Sequence, residues 1–447
     1  MARALTLLGL ACVTGCFHAA PYSPAANQAT WRSMRDRGDA SASSGTAPKP
    51  SGPGMTADEA YAMAIERNYA IVERAAAAEI AAAEVHAEKQ LDNPQLRVTG
   101  FDVDDVINRN SAVNIGLRMP IPRPGSVRAR VAGAKQVAEG EAQLTEDAKR
   151  QLRAEIDKLF AQLAVHRADR EHVARARTLQ AAFRDEMASR ADQAVATRID
   201  VAMADVRLAE AVQSAEEIDD AILEVEGQLR LLIGANEPVQ FATDAGTLAV
   251  ISTPVDRDAL VEQALEARPE LRAAHAGKVA ALSEVYVARG EAYPWFDWAQ
   301  LQYRAAQGSP PTAFGFGVAI NLPIFSWNRG AVRTARATVR QREREEQAQI
   351  LKIAAEVTEA AGRVERTAKR IDKLEHELLP QLEAAAREIE AAGAAGVYDP
   401  SAANDVDRRT VEARRMHLAA VLAHREAVID LEAAVGGSIR RPQGGPQ

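Results

Sequence analysis

Few side chains in this sequence could do chemistry, and they are scattered. Eight histidines occur in 447 residues, and the nearest pairs are His166 with His172 and His417 with His424. The second pair is spaced i,i+7 and can share a helix face. No carboxylates cluster around either pair, so a packed or solvated imidazole fits better than a metal ligand. Two cysteines are too few for a thiolate cage or a disulfide framework. The chain has no phosphate-binding Walker loop, no dinucleotide glycine motif and no HExxH. These residues predict no enzyme, no cofactor and no bound metal.

One cysteine invites covalent modification. Met1–Gly15 carries a single charge, Arg3, ahead of the apolar run Leu5–Gly15. That run is shorter than the roughly 20 residues a transmembrane helix needs, and it reads as an export signal. It ends in Val13-Thr14-Gly15-Cys16. Small residues before a cysteine resemble the bacterial lipoprotein signal, which predicts acylation at Cys16. The plainer alternative is a signal peptide with an incidental cysteine. Residues 16–54 are rich in Ser, Ala, Pro and Gly and read as an extended, lipid-tethered segment.

The positions that remain must be explained by architecture. Aromatic residues make up only 4% of the chain, which argues against several ordinary globular cores. Ala, Glu, Arg, Leu and Gln predominate, as in long packed helices. Net charge is −8, against a whole-protein nucleic-acid binder. The chain is also duplicated. Thr56–Asn68 aligns with Asp256–Arg268 at an offset of 200, and Met119-Pro120-Ile121 with Leu322-Pro323-Ile324 at 203. Residues 55–240 form the first repeat and 255–437 the second, with a disordered tail at 438–447.

Each repeat shows one plan. A short helix starts at Thr56 or Asp256, and a longer one runs to about Gln90 or Arg289. Two strand-like segments follow, Pro94–Asp104 and Ser111–Ile121 in the first repeat, Pro294–Arg304 and Thr312–Pro323 in the second. Val113, Ile115, Leu117 and Met119 alternate with Asn114, Gly116 and Arg118, and Phe314, Phe316 and Val318 alternate across glycines. A very long helix comes next, about 98 Å over 126–190, then a break and a helix running back. Leu152, Ile156, Leu159 and Leu163 step 4-3-4, as do Ile218, Ile222, Val225, Leu229 and Leu232, and Ile371, Leu374, Leu378 and Leu382 continue the rhythm. These are coiled-coil seams.

Ten aromatics fall within 286–327, among them Tyr293, Trp295, Trp298 and Trp327. Trp and Tyr at strand ends suit the interfacial girdle of a membrane β-barrel, and a local soluble core around a hairpin is the alternative. Four strands cannot close a barrel alone, so the barrel reading requires oligomerisation.

This duplicated helix–strand–strand–helix–helix plan resembles the TolC-like outer-membrane efflux protein family over roughly residues 55–437. Asn93-Pro94 looks like the family's helix-to-strand junction. Pro120–Gly125 and Pro323–Gly330 look like its strand-to-helix exits. The resemblance implies a mainly α fold with a small membrane β part: a homotrimer whose helices form a periplasmic barrel and whose strands form a 12-stranded outer-membrane barrel. It implies a passive export duct fed by an inner-membrane pump through a periplasmic adaptor, anchored in outer-membrane lipid with a large periplasmic portion. The pattern at Val195, Ala196, Thr197, Arg198 and Asp200 looks like the first adaptor-contacting tip, and Gly396 and Val397 fall in the less regular second tip. Asp405 fits the acidic gate position, where three copies would form an anionic ring; Arg408 departs from the family one turn on. The alternative is that Asp399 and Asp405 cap helix starts. Arg128, Arg130 and Arg333 follow the strand exits, facing lipid headgroups or solvating a helix start, and 104–110 and 305–312 would be extracellular loops. The Pro-Arg-Pro-Gly exit is similar to that of heavy-metal efflux members. A non-conducting coiled-coil lipoprotein and a type I secretion channel are the competing readings.

Overall fold

The structure is a computed structural model, and it describes residues 25, 27–29, 32–33, 54–99, 113–235, 238–243, 256–305, 313–394 and 399–437. The export signal, Cys16, most of the 16–54 segment, the loops between paired strands, Gly396, Val397 and the 438–447 tail lie outside these residues.

Both repeats fold to the same plan. In the first, α1 (Ala57–Arg67) and α2 (Tyr69–Glu88) lead to β1 (Gln95–Thr99) and β2 (Val113–Pro120), then α3 (Ser126–Asp192) and α4 (Arg198–Leu232). In the second, α5 (Arg257–Ala267) and α6 (Pro269–Gly290) lead to β3 (Trp295–Ala305) and β4 (Ala313–Asn321), then α7 (Arg329–Lys373), α8 (Leu379–Ala394) and α9 (Pro400–Val435). Local chemistry sets the helix starts. Thr56 and Glu59 form a reciprocal capping box at α1, Asp256 accepts from two backbone N–H groups at α5, and Asn68 caps α2.

The expected seams are where the helices meet. Leu152, Ile156, Leu159 and Leu163 of α3 are buried with Ile71 of α2 and Val225 and Leu229 of α4. The second repeat repeats this core with Leu260 of α5, Ile353 and Val357 of α7 and Val428 and Leu431 of α9. The third seam departs from the simple rhythm. Leu374–Leu378 is a π-helical turn between α7 and α8, where the Leu379 N–H bonds back to the Leu374 carbonyl. Pro380 explains it: proline has no N–H for the His376 carbonyl and its ring crowds that oxygen, so the helix widens just upstream.

A buried ionic cluster joins the repeats. The Arg150 guanidinium of α3 bonds to Asp147 at 2.5 Å, to Glu270 of α6 at 3.2 Å and to the Ala433 carbonyl of α9. Arg268, almost wholly buried, binds both Glu270 and Glu356 of α7. Burial alone would raise the Glu270 carboxyl; hydrogen bonding from Arg268 and the charge of Arg150 outweigh it and hold the group below its ordinary value. The stabilisation is therefore complete above the ordinary carboxylate range and disappears as pH falls through the lowered value. Arg268→Ala removes one of two arginines from Glu270 and the nearer cation from Glu356, leaving Arg150 and Lys352 as their partners, and we predict a loss of about 2–3 kcal/mol in urea unfolding, with Arg268→Met/Glu270→Leu losing less.

Candidate functional site

The four strands form one antiparallel sheet in the order β1-β2-β3-β4. The two hairpins are joined by β2–β3 pairing, in which Ile115 lies opposite Tyr303 and Leu117 opposite Leu301. Period-two alternation then sorts the side chains by face. One face carries Leu96 and Val98, then Ile115, Leu117 and Met119, then Ala299, Leu301 and Tyr303, then Phe314, Phe316 and Val318. The other carries Arg97, Asn114, Gly116, Arg118, Trp298, Gln300, Gln302, Arg304, Gly315 and Gly317.

Burial on this sheet is inverted. Phe314 and Phe316 are about three-quarters exposed (75% and 74%), whereas Gln300 is 8% exposed. Glycines make room for the polar side: a Cβ on Gly116 would stand 2.5 Å from Gln300 Nε2, and one on Gly315 would stand 3.0 Å from Gln302 Nε2. Arg118 Nε donates to Gln300 Oε1 at 3.4 Å, and the same guanidinium stacks 4.0 Å from the Trp298 ring centre.

This changes the aromatic assignment. Trp298 belongs to the polar face, under Arg118, rather than to an apolar girdle. A bulge at Asp297 shifts the register between Phe296 and Trp298, so Phe296 pairs with Ile320 and returns to the apolar face. Trp295 is also tied inward: its Nε1 donates to the carbonyls of Ile121 and Pro122, both at 3.2 Å. Tyr293 and Trp327 remain exposed at the helical end of the sheet, where Phe325 is 98% exposed. Phe314 and Phe316 share this face by their two-residue spacing, and Tyr303 joins them by pairing opposite Phe314.

At the far end of the helices, α3 turns into α4. Ala194 takes a left-handed conformation (φ 58°), and the Val195 and Ala196 N–H groups both bond to the Arg190 carbonyl. Thr197 caps α4: its hydroxyl and backbone N–H each donate to Asp200 Oδ2 at 2.8 Å, and the Asp200 N–H returns to Thr197 Oγ1. The first expected tip set, Val195, Ala196, Thr197, Arg198 and Asp200, is thus one compact turn. Val195, Ile199, Met203 and Val206 add an exposed apolar stripe that the sequence reading missed, though the 4-4-3 spacing carries it.

The gate position is not a free acid. Asp405 accepts from Arg408 Nη2 at 2.9 Å and from Arg409 Nε at 2.8 Å, and these bonds hold its carboxyl below the ordinary range. One acid and two bases leave this group of three side chains net positive within the subunit. Nor does Asp405 cap a helix; Asp399 does, accepting from the Ser401 and Ala402 N–H groups. His417 pairs with Glu375 and His424 with Thr367, in different directions. Among the described residues, no group of three His, Cys, Asp or Glu is placed to hold a metal.

Residues 260–437 match the family described as outer membrane efflux protein. That segment, the second repeat, is similar to the family. Solved structures share the fold over most of the chain. The outer membrane protein VceC of Vibrio cholerae is 17% identical with a TM-score of 0.68, covering 85% of this chain and 96% of its own. The MtrE outer membrane channel of Neisseria gonorrhoeae, in its open state, is 19% identical with a TM-score of 0.66, covering 85% and 89%. The CmeC outer membrane channel of Campylobacter jejuni is 14% identical with a TM-score of 0.67, covering 87% of each chain. No curated protein matches the sequence. The fold shared with these channels accounts for the duplicated plan. Among the described residues no helix is long and apolar enough to cross a membrane.

The Thr197 cap makes a prediction. Hydrogen bonds from its backbone and hydroxyl hold the Asp200 carboxyl low, so the box is intact above the ordinary carboxylate range and lost as pH falls through the lowered value. Thr197→Ala is expected to speed amide exchange at Asp200 and Val201 roughly fivefold at neutral pH, with little further change on acidification.

Proposed function

We propose that three copies of this chain assemble into a passive export duct in the outer membrane. Their sheets make one 12-stranded barrel and their long helices a periplasmic tunnel. The inverted sheet carries this reading: large apolar side chains face outward, and polar side chains with glycines face inward, as a lipid-exposed barrel with a wet lumen requires. Sixty-seven residues of α3 extend about 100 Å from that barrel, enough to reach partners well below the membrane.

An inner-membrane pump delivers cargo, and a periplasmic adaptor docks on the tips. Val195, Thr197 and the Ile199–Val206 stripe supply the first contact, with Gly396 and Val397 in the second. Cys16 is the acylated residue that anchors the segment ahead of the first repeat. If Asp405, Arg408 and Arg409 line the constriction, their balance disfavours cations. Asp405→Asn is then expected to shift planar-bilayer selectivity further toward anions, because two arginines lose their counter-charge. Unchanged selectivity places these groups away from the pore.

The barrel assignment has its own test. An arginine facing the bilayer midplane costs about 2–4 kcal/mol. Phe316→Arg should therefore abolish insertion and bilayer conductance, whereas Gln302→Arg, on the opposite face, should insert normally with altered conductance. Normal insertion of Phe316→Arg removes the lipid-facing assignment.

A further inference from the structure

The membrane-proximal ends of the two long helices differ in a way that the duplication does not explain. In the first repeat two of the three basic side chains at the helix start are engaged internally, and Arg128 stands exposed: Arg123 donates to the carbonyls of Gly290 and Tyr293, and Arg130 pairs with Glu88 at 2.9 Å. In the second repeat, Arg329, Arg333, Arg336 and Arg340 step 4-3-4 along α7. All four are exposed, and none makes an ion pair with another described residue. The first acid of α7 is Glu343. The opening three turns therefore present a basic stripe with no acid among them.

The stripe has a definite direction. Continued at the same spacing it passes Glu343, Gln347, Ile350 and Ala354 and reaches Val357, Ala361 and Val364, which are buried in one cluster with Leu260 and Ala264 of α5. Helix α5 is a second layer upon the long helices. A conducting tube has room for such a layer only on its outside, so the arginines share the outward azimuth.

Above the stripe is an exposed apolar loop. Ile324 and Phe325 protrude from the β4–α7 connection, Phe325 almost fully. Trp327 and Asn328 take left-handed backbone conformations, φ 49° and 48°, that a bulky residue rarely adopts. Asn328 Nδ2 fixes the turn by donating to the Ala288 carbonyl at 2.9 Å and to Glu291 at 3.1 Å. A locked loop thus presents an exposed aromatic side chain at the head of the helix that carries the arginines.

The geometry points to a binding site for anionic phospholipid headgroups of the periplasmic leaflet, built from Arg329, Arg333 and Arg336 beneath the Phe325 wedge. This rests on the lipid-facing reading of the sheet. Phe325 sits at the acyl boundary and the guanidiniums meet phosphates. The dimensions agree. The headgroup zone is about 5–8 Å deep, and Arg336 lies seven residues below Arg329, about 10 Å. Helical side chains tilt toward the helix N-terminus, here toward the membrane, so long arginines reach back up into that zone. Arg340 lies about 16 Å down and contributes through the field alone.

The test uses the full-length protein in detergent, titrated with phosphatidylglycerol or phosphatidylcholine and read by native mass spectrometry, with inorganic phosphate as competitor. Wild type should prefer phosphatidylglycerol. Arg329→Gln/Arg333→Gln/Arg336→Gln should lose that preference roughly a hundredfold, at about 1 kcal/mol per arginine. Phosphate should compete poorly, since it lacks the acyl chains that Phe325 meets. An unchanged preference in the variant overturns the site. So does effective competition by phosphate, or failure of the variant to assemble in either lipid, which would mark the stripe as a contact between copies. Conductance in pure phosphatidylcholine bilayers tests the duct separately: a variant that conducts there but shows wild-type lipid preference sinks the headgroup site alone.

Discussion

The outer strands β1 and β4 each have a neighbour on one side only. In hydrocarbon an unpaired backbone N–H or C=O has no water to turn to, and each costs several kcal/mol. On the duct reading proposed above, a four-stranded sheet with an apolar outer face cannot be a finished membrane structure, and its edges must be satisfied by another copy. The other features are consistent with that requirement: β2 pairs with β3 so that each chain offers one continuous sheet with two outer edges, and the polar side chains are gathered on one face, where glycines leave them room.

The helices answer a different demand. They must extend far from the sheet without a globular core. Two equivalent clusters of aliphatic side chains, one per repeat, hold each short helix onto its long helices. Alanine at the remaining contacts lets backbones approach, which is why so few aromatics suffice. The Arg150–Glu270–Arg268–Glu356 cluster fixes the repeats against each other where long helices from both halves cross. Buried ions contribute little net stability, but they tolerate few alternative arrangements. Such a cluster suits a subunit whose two sheet edges must be held in register.

Much of this was legible in the sequence. Periodicity placed the long helices and the strands β2, β3 and β4 within a few residues, and the start of β1, because seams at 3.5 and alternation at 2 are direct consequences of burial. Thr56, Asp256 and Thr197 marked helix starts through capping chemistry. Three features were less accessible. The faces of Phe296 and Trp295 depend on a bulge at Asp297, and one inserted residue reverses every assignment before it. The π-turn before Pro380 interrupts a seam whose apolar spacing looks continuous. Asp405 looked like a free acid by position in a motif, yet Arg408 and Arg409 stand at i+3 and i+4, and that spacing foretold the ion pairs. The fold came from periodic signals; the site depended on single contacts that periodicity does not encode.

Closure of the sheet edges can be measured directly. Val98 of β1 and Phe316 of β4 lie on the same face at opposite edges. In outer membranes carrying Val98→Cys/Phe316→Cys, a short bismaleimide should join β4 of one copy to β1 of the next. Closure predicts that cross-linking ends at a covalent trimer, while either single variant stays monomeric. A double variant that remains monomeric, or one that yields a ladder extending past three copies, contradicts a closed barrel of three subunits.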